Sequence, residues 1–196
     1  KPIKNEEAAS CGWHHSCIKH FFGTVRLPGI TISNEALEWI ANETLSKGYT
    51  VPGVQKKLSL HLSKEEKARL TLVGYPSGYI LKPQTNEYRA LPEAEQMIMC
   101  MADAAGITTV PHGLIQSDGT YAYITKRVDR MVLPDQSIRL LAMEDFCQLT
   151  YRLTNDKYQS SYERCAKVID RWSSQKGLDM AEFFIRIVFS FLVGNS

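Results

Sequence analysis

The sequence predicts an α+β fold of two lobes, a small antiparallel β lobe with one helix followed by a helical lobe, on three observations. Short alternating apolar runs broken by Gly and Pro fill residues 49 to 82. Asp118-Gly119, the strongest short hairpin signal in the chain, lies between two further alternating runs, and beyond Arg130 apolar residues recur at helical spacing almost to the end. Strands gathered in one stretch and helices in the next are the mark of a two-layer α+β plan.

Taken in order, residues 1–31 begin polar, become rich in Cys, His and aromatics, and end at the turn signal Leu27-Pro28-Gly29. Ser33 then caps a helix whose apolar positions Leu37, Ile40, Ala41 and Leu45 recur at helical spacing, with Gly48 just past its end. Leu58, Leu60 and Leu62 alternate with Ser59 and His61, and Leu70, Leu72, Tyr79 and Leu81 continue in short runs interrupted by Gly74, Pro76 and Gly78. This is the pattern of antiparallel strands joined by tight turns. Pro92 opens a helix with an apolar stripe of Met97, Ile98, Met101, Ala102 and Ala105, closed by Gly106. Strands over 112–116 and 121–125 flank Asp118-Gly119, and a crossover follows near 126–130. Helices are then predicted for Leu141 to Tyr151, for a face of Tyr162, Cys165, Val168, Ile169 and Trp172, and for residues 179–193. In the last, Glu182, Arg186 and Ser190 leave a narrow polar stripe, which predicts burial on most sides. The expected organisation is an N-terminal Cys/His/aromatic segment (1–31), a β lobe (32–125), and a hinge with the first part of a helical lobe (126–196).

Composition excludes several classes. With 44% hydrophobic residues the 196-residue chain is an ordinary globular sequence, not a disordered one. Its 23 basic and 21 acidic residues are spread along the whole length, with no Lys/Arg block dense enough to be an electrostatic footprint for nucleic acid. Cys100, Cys147 and Cys165 sit inside apolar helical patterns, where a thiol acts as a small hydrophobe, so a reducing, cytoplasmic location is the simplest expectation. The start, Lys1 to Glu7, lacks the apolar run of a secretory signal. The longest apolar run, Phe183 to Val193, is too short for a bilayer and is interrupted by Arg186 and Ser190. A chain that begins without Met and ends on an apolar helix plus Gly194-Asn195-Ser196 is expected to belong to a longer polypeptide.

Three constellations carry candidate chemistry. In Tyr49 to Leu60, the single-Gly loop Pro52-Gly53-Val54-Gln55-Lys56-Lys57 between strands can aim backbone N–H groups at a phosphate, although Pro52-Gly53 is equally a plain turn and the G-x-x-x-x-G-K-[ST] spacing is absent. In Tyr79-Ile80-Leu81-Lys82-Pro83 a Lys ends an apolar strand, and Glu95, one turn before Ile98 and Met99, can face inward from the next helix. A strand Lys held by a helix carboxylate is how kinases grip nucleotide phosphates. Each residue also has an ordinary reading, since Lys82 can snorkel at a strand end and acidic residues suit a first helical turn. Third, Lys126-Arg127-Val128-Asp129-Arg130, at the change from strands to helices, reads either as a hinge offering backbone groups to an adenine edge or as a solvated charged turn.

In order, Thr50 to Ser59, Tyr79 to Pro83, Glu95 with Ala102 and Gly106-Ile107, Lys126 to Arg130, Met143 to Gln148, Lys157-Tyr158 and Phe189 to Asn195 resemble the landmarks of HipA/HipT-like serine/threonine kinases of bacterial toxin-antitoxin systems. The resemblance covers roughly residues 45 to 196, and the short N-terminus looks more like the HipT branch. It implies a two-lobed protein-kinase-like fold, with Pro52, Gly53, Val54, Gln55, Lys56 and Lys57 lining the ATP phosphates, Lys82 as the ATP-binding lysine supported by Glu95, and Lys126, Arg127 and Val128 as the hinge under adenine. Thr50 falls where these kinases carry an inhibitory autophosphorylated serine, and it keeps the hydroxyl while adding a methyl. Val128 stands where an aromatic is common.

The family's D-x-H-x-K-N stretch and its later magnesium Asp are expected after Ser196, so residues 1–196 alone are expected not to catalyse. The resemblance further implies ATP and Mg2+ as cofactors, a translation protein such as an aminoacyl-tRNA synthetase as substrate, and antitoxin protein of the same operon as partner. Direct nucleic-acid or membrane binding is not expected. The alternative is a pseudokinase-like module that binds nucleotide or a partner without chemistry.

One segment stands apart from these landmarks. Cys11, His14 or His15, Cys17 and His20 are competent zinc ligands, and some HipA-like chains show a similar segment before Phe-Phe-Gly. The competing reading is burial of Trp13, Phe21 and Phe22 around the cysteines.

Overall fold

The computed structural model describes residues 12–30, 57–63, 69–71, 78–117, 119–133, 137–153, 156 and 159–195. The helix expected after Ser33, the loop through 56 with Thr50, the Lys157-Tyr158 landmark and Cys11 lie outside the described residues. A five-stranded antiparallel sheet is the centre of the first lobe, in the order β2-β1-β3-β5-β4, with β1 Leu58–Ser63, β2 Arg69–Thr71, β3 Tyr79–Pro83, β4 His112–Ser117 and β5 Thr120–Lys126. The β4–β5 hairpin closes with Ser117 opposite Thr120 across Asp118-Gly119, and Gly119 has φ +80°, a conformation glycine adopts without the Cβ penalty.

One face of the sheet is apolar. Leu58, Leu60, Tyr79, Leu81, Ile115, Ala122 and Ile124 point to the same side, as the period of two requires. Helix α1, His15–Phe22, covers that side with Ile18, Phe21 and Phe22. Trp13 joins them, its ring 5.3 Å from Phe21 and 5.4 Å from Phe22, and its indole N–H donates to the Leu114 carbonyl at 2.7 Å. The ring packs directly against Gly113, where a Cβ would come within 2.6 Å of it. Burial pushes the Tyr79 phenol up to about 12, so it stays protonated and donates to the Phe21 carbonyl at 3.1 Å. Residues 12–30 thus contribute to the same core as the strands that follow them.

Helix α2, Leu91–Ala104, lies on β4 and β5 and starts with Pro in its first turn. It buries Pro92 and Ala102, while Met97, Met101 and Ala105 of the expected stripe are exposed. Ile98 of that stripe is half-buried, and so are Gln96 and Glu95, the latter facing inward as expected.

The second lobe departs further from expectation. A two-stranded sheet, β6 Arg130–Val132 with β7 Ile138–Leu140, occupies a stretch with too few residues per strand for alternation to register. The helix expected from Leu141 shortens to α3, Phe146–Leu149. Asp145 and Gln148 form a capping box, with the Gln148 N–H on Asp145 Oδ1 at 2.9 Å and the Asp145 N–H on Gln148 Oε1 at 2.8 Å, which fixes the start. Leu141 instead donates its N–H to the Asp129 carbonyl and continues the extended hairpin. Helices α4, Tyr162–Trp172, and α5, Lys176–Leu192, follow and pack on each other. In α4 the expected face buries Val168, half-buries Cys165 and Ile169, and leaves Tyr162 and Trp172 exposed. Burial of α5 on most sides is not found: Phe184 is 65% and Phe191 78% exposed, because the helix is apolar around more of its circumference than the described residues cover.

Candidate functional site

The second face of the sheet is polar where the first is apolar. Lys82, one step along β3 from the core residue Leu81, points to the α2 side opposite Tyr123 of β5. There its ammonium is ion-paired and hydrogen-bonded to Glu95 of α2, with both side chains about one fifth exposed (20% and 24%). The Lys82 Nζ also lies 5.3 Å from the Tyr123 ring centroid, a cation–π distance. Tyr123 is 2% exposed; burial first, then the negative charge of Glu95, push its phenol far above its ordinary value, so it stays neutral. The result is a single ammonium, oriented by a carboxylate and an aromatic face and still open to one side. Such a group suits an anionic oxygen.

Lys126 ends β5, and its N–H donates to the Pro111 carbonyl at 3.0 Å, while the Arg127 N–H donates to the Gly78 carbonyl at 2.8 Å. A solvated charged turn, one of the two readings of Lys126 to Arg130, is not what forms. Asp129 is buried, and the Arg127 fork donates to both its oxygens at 2.9 and 2.7 Å while Arg130 Nη1 donates to Oδ2 at 2.5 Å. The hydrogen bond from Arg127, with the charges of both guanidinium groups, holds the Asp129 carboxyl below the usual carboxylate range against the opposing effect of burial. Arg127 Nη1 also reaches Ser59 Oγ of β1 at 3.5 Å, and the Asp129 carbonyl holds Leu141, so this carboxylate ties the strands of the first lobe to the hairpin of the second. Val128 between them is more than half exposed.

Residues 49–196 match the family model described as the HipA-like C-terminal domain. The chain belongs to the HipA-like C-terminal domain family. Over its whole length it is 27% identical to a putative kinase of Haemophilus influenzae, of which it covers 58%, and over 75% of its length it is 28% identical to a putative kinase of Sinorhizobium fredii, of which it covers 38%. Among solved structures it is similar to the HipA, HipB and operator DNA complex of Shewanella oneidensis, with a TM-score of 0.53 at 20% identity over 79% of this chain and 43% of the other. That likeness concerns the fold. The chain spans between about two fifths and three fifths of these relatives.

Within this HipA-like frame the structure brings some of the expected site residues together. Lys82 and Glu95 meet directly. Lys57 immediately precedes β1, and the antiparallel pairing of Leu58 with Leu81 places it opposite Lys82, so the end of the Gly-containing loop meets β3 at the strand position of the ammonium. Lys126, Arg127 and Val128 follow Tyr123 at the junction of the lobes. Positions 50 to 56 lie outside the described residues. The candidate zinc segment behaves differently: His14 Nδ1 is 3.7 Å from Cys17 Sγ and His20 is exposed. Among the described residues no three His, Cys, Asp or Glu side chains gather in a group that could hold a metal.

Sequence reasoning missed Asp129 as a buried carboxylate, and it missed His112, Gln96 and Tyr123 around the ion pair. The spacing Arg127-x-Asp129-Arg130 was visible, but a sequence does not state burial. His112 and Tyr123 follow from the hairpin register once Ser117 is set opposite Thr120. That Tyr123 faces Lys82 depends on the β3–β5 pairing, which no local signal announces.

Proposed function

We propose that the protein is an ATP-dependent serine/threonine kinase of the HipA/HipT-like toxin type, in which this chain supplies the grip on ATP. The ion pair of Lys82 with Glu95 on the polar face of the sheet, beside the end of the 52–57 loop, carries this reading. The residues fit a nucleotide: a partly desolvated ammonium, fixed by a carboxylate, holds phosphate oxygens more strongly than one in open water. In this role Lys82 takes the phosphates, Glu95 fixes the ammonium, and Pro52 to Lys57 supply backbone N–H groups to the same oxygens. With the N–H groups of Lys126 and Arg127 committed inside the protein, contact with the adenine edge falls to Val128 and to the hinge carbonyls. Bound ATP supplies the phosphoryl group. The magnesium ion of this chemistry finds no ligand cluster among the described residues, and no step here depends on one.

The base that orients the substrate hydroxyl is assigned, with the magnesium ligands, to the polypeptide beyond residue 196. The substrate on this reading is a translation protein such as an aminoacyl-tRNA synthetase, restrained by an antitoxin of the same operon in the cytoplasm. The test is transfer of labelled γ-phosphate by the whole protein. Lys82→Ala is expected to lower transfer at least ~100-fold, the scale of losing one charge contact to a transferring phosphoryl group. Unchanged transfer would refute the assignment, and ATP binding without any transfer by the unaltered protein would leave a nucleotide-binding module.

A further inference from the structure

Helix α2 fully buries few apolar side chains against the sheet. It buries Pro92 and Ala102, at opposite ends, half-buries Ile98 and Met99 between them, and the sheet face beneath it carries Lys82, Tyr123 and His112 beside Leu114. Polar contacts therefore share in setting its rotation, and a slip of one residue would turn Glu95 by about 100° away from Lys82. Two of these contacts converge on one side chain. His112, at the start of β4, has its side chain 6% exposed. Its Nδ1 lies 2.9 Å from Gln96 Oε1, and its Nε2 lies 3.2 Å from Asp103 Oδ2. The Gln96 amide nitrogen points the other way, to Cys100 Sγ at 3.2 Å, which leaves the oxygen facing the ring.

Both ring nitrogens therefore lie within hydrogen-bond distance of an oxygen on α2. Asp103 is itself oriented: Thr109 Oγ1 donates to its Oδ1 at 2.5 Å, and this bond together with those of His112 holds its carboxyl below the ordinary range. From Gln96 to Asp103 the helix rises about 10 Å. One imidazole that binds both points fixes α2 in rotation and in translation, and the first point is the neighbour of Glu95. The ring also stacks on Tyr123, with centroids 6.1 Å apart and planes inclined by 22°, and Tyr123 is the aromatic under Lys82.

We propose that His112 is a positioning residue for the Lys82–Glu95 pair, holding α2 through Gln96 and Asp103 so that Glu95 meets the ammonium. The proposal rests on the kinase reading above and adds to it the element that sets the geometry of the grip. His112 touches no substrate and acts through Glu95.

The test is a double-mutant cycle in the whole protein. His112→Ala is expected to raise the KM for ATP about tenfold, the factor that accompanies loss of one charge-assisted hydrogen bond. In a Glu95→Gln background, where the pair is already broken, His112→Ala is expected to change KM less than twofold. Asp103→Ala alters a half-exposed position that does not threaten folding, and it is expected to reproduce the KM effect in part and to lose it in the same background. A thermal midpoint lowered with KM unchanged, or equal KM effects with and without Glu95, would overturn the proposal, because His112 would then serve stability alone. Activity retained in Lys82→Ala would instead overturn the kinase reading, so the two failures are distinguishable.

Discussion

At the scale of single residues, buried charge decides most. Asp129 with Arg127 and Arg130 is a desolvated triad in which the planar guanidinium fork matches the carboxylate, and each partner relieves the cost of burying the other. The folded carboxyl titrates below its unfolded value of about 3.9, so its stabilisation is complete above that pH and is lost as pH falls through the depressed folded value. Asp129→Asn is expected to cost about 3 kcal/mol at neutral pH by leaving two guanidinium groups without their counter-charge. The difference between variant and parent should begin to shrink below about pH 4, where the unfolded carboxyl takes up its proton, and should vanish as pH falls through the depressed folded value. Urea unfolding at a series of pH values checks this, and equal stability at pH 7 would contradict the triad. The same scale shows what sequence can reveal. Lys82 and Glu95 were legible as a pair because strand Lys and helix Glu follow in order, whereas Asp129 was hidden in a run of charges that usually lies in water.

At the scale of elements, legibility followed length and punctuation. The β4–β5 hairpin was readable to within a residue at each strand end because Asp118-Gly119 favours a tight turn between two alternating runs. The hairpin of β6 and β7 was not, since three-residue strands show no period, and the helix beginning was misplaced because Leu141 continues an apolar pattern while Asp145 holds the cap. The stripe of α2 was right only in part: Ile98 and Ala102 turn inward, but Glu95 and Gln96 share that face for the sake of Lys82 and His112, and Met97, Met101 and Ala105 are left outside. Helix α1 was visible only as a cluster of aromatics, yet its seat is tightly specified: the Trp13 ring rests on Gly113, and the core has no room for a methyl there. Gly113→Ala is expected to destabilise the fold by about 1–3 kcal/mol through displacement of Trp13. Thermal unfolding followed by tryptophan fluorescence reads both the loss and the altered ring environment. A midpoint unchanged from the parent would mean that Trp13 does not pack there.

At the scale of the whole molecule, two faces of one sheet divide the labour. The α1 side is an apolar core, and the α2 side holds an ammonium, a carboxylate, an imidazole and a neutral phenol in contact. No helix among the described residues is long and apolar enough to cross a membrane. The exposed apolar side of α5 marks where sequence-based reasoning about burial failed: a helical pattern states which residues are apolar, not which partner covers them. Family membership and fold were legible from ordered landmarks, while the geometry of the grip required the strand pairing. The central claim is that Lys82 holds the nucleotide. It is tested most directly by labelling the whole protein with a lysine-acylating reagent, with and without magnesium ATP, and reading Lys82 by mass spectrometry. The account predicts that Lys82 is modified in the free protein and protected in proportion to ATP occupancy, while exposed lysines such as Lys176 are modified alike in both. Equal labelling of Lys82 at saturating ATP would contradict it.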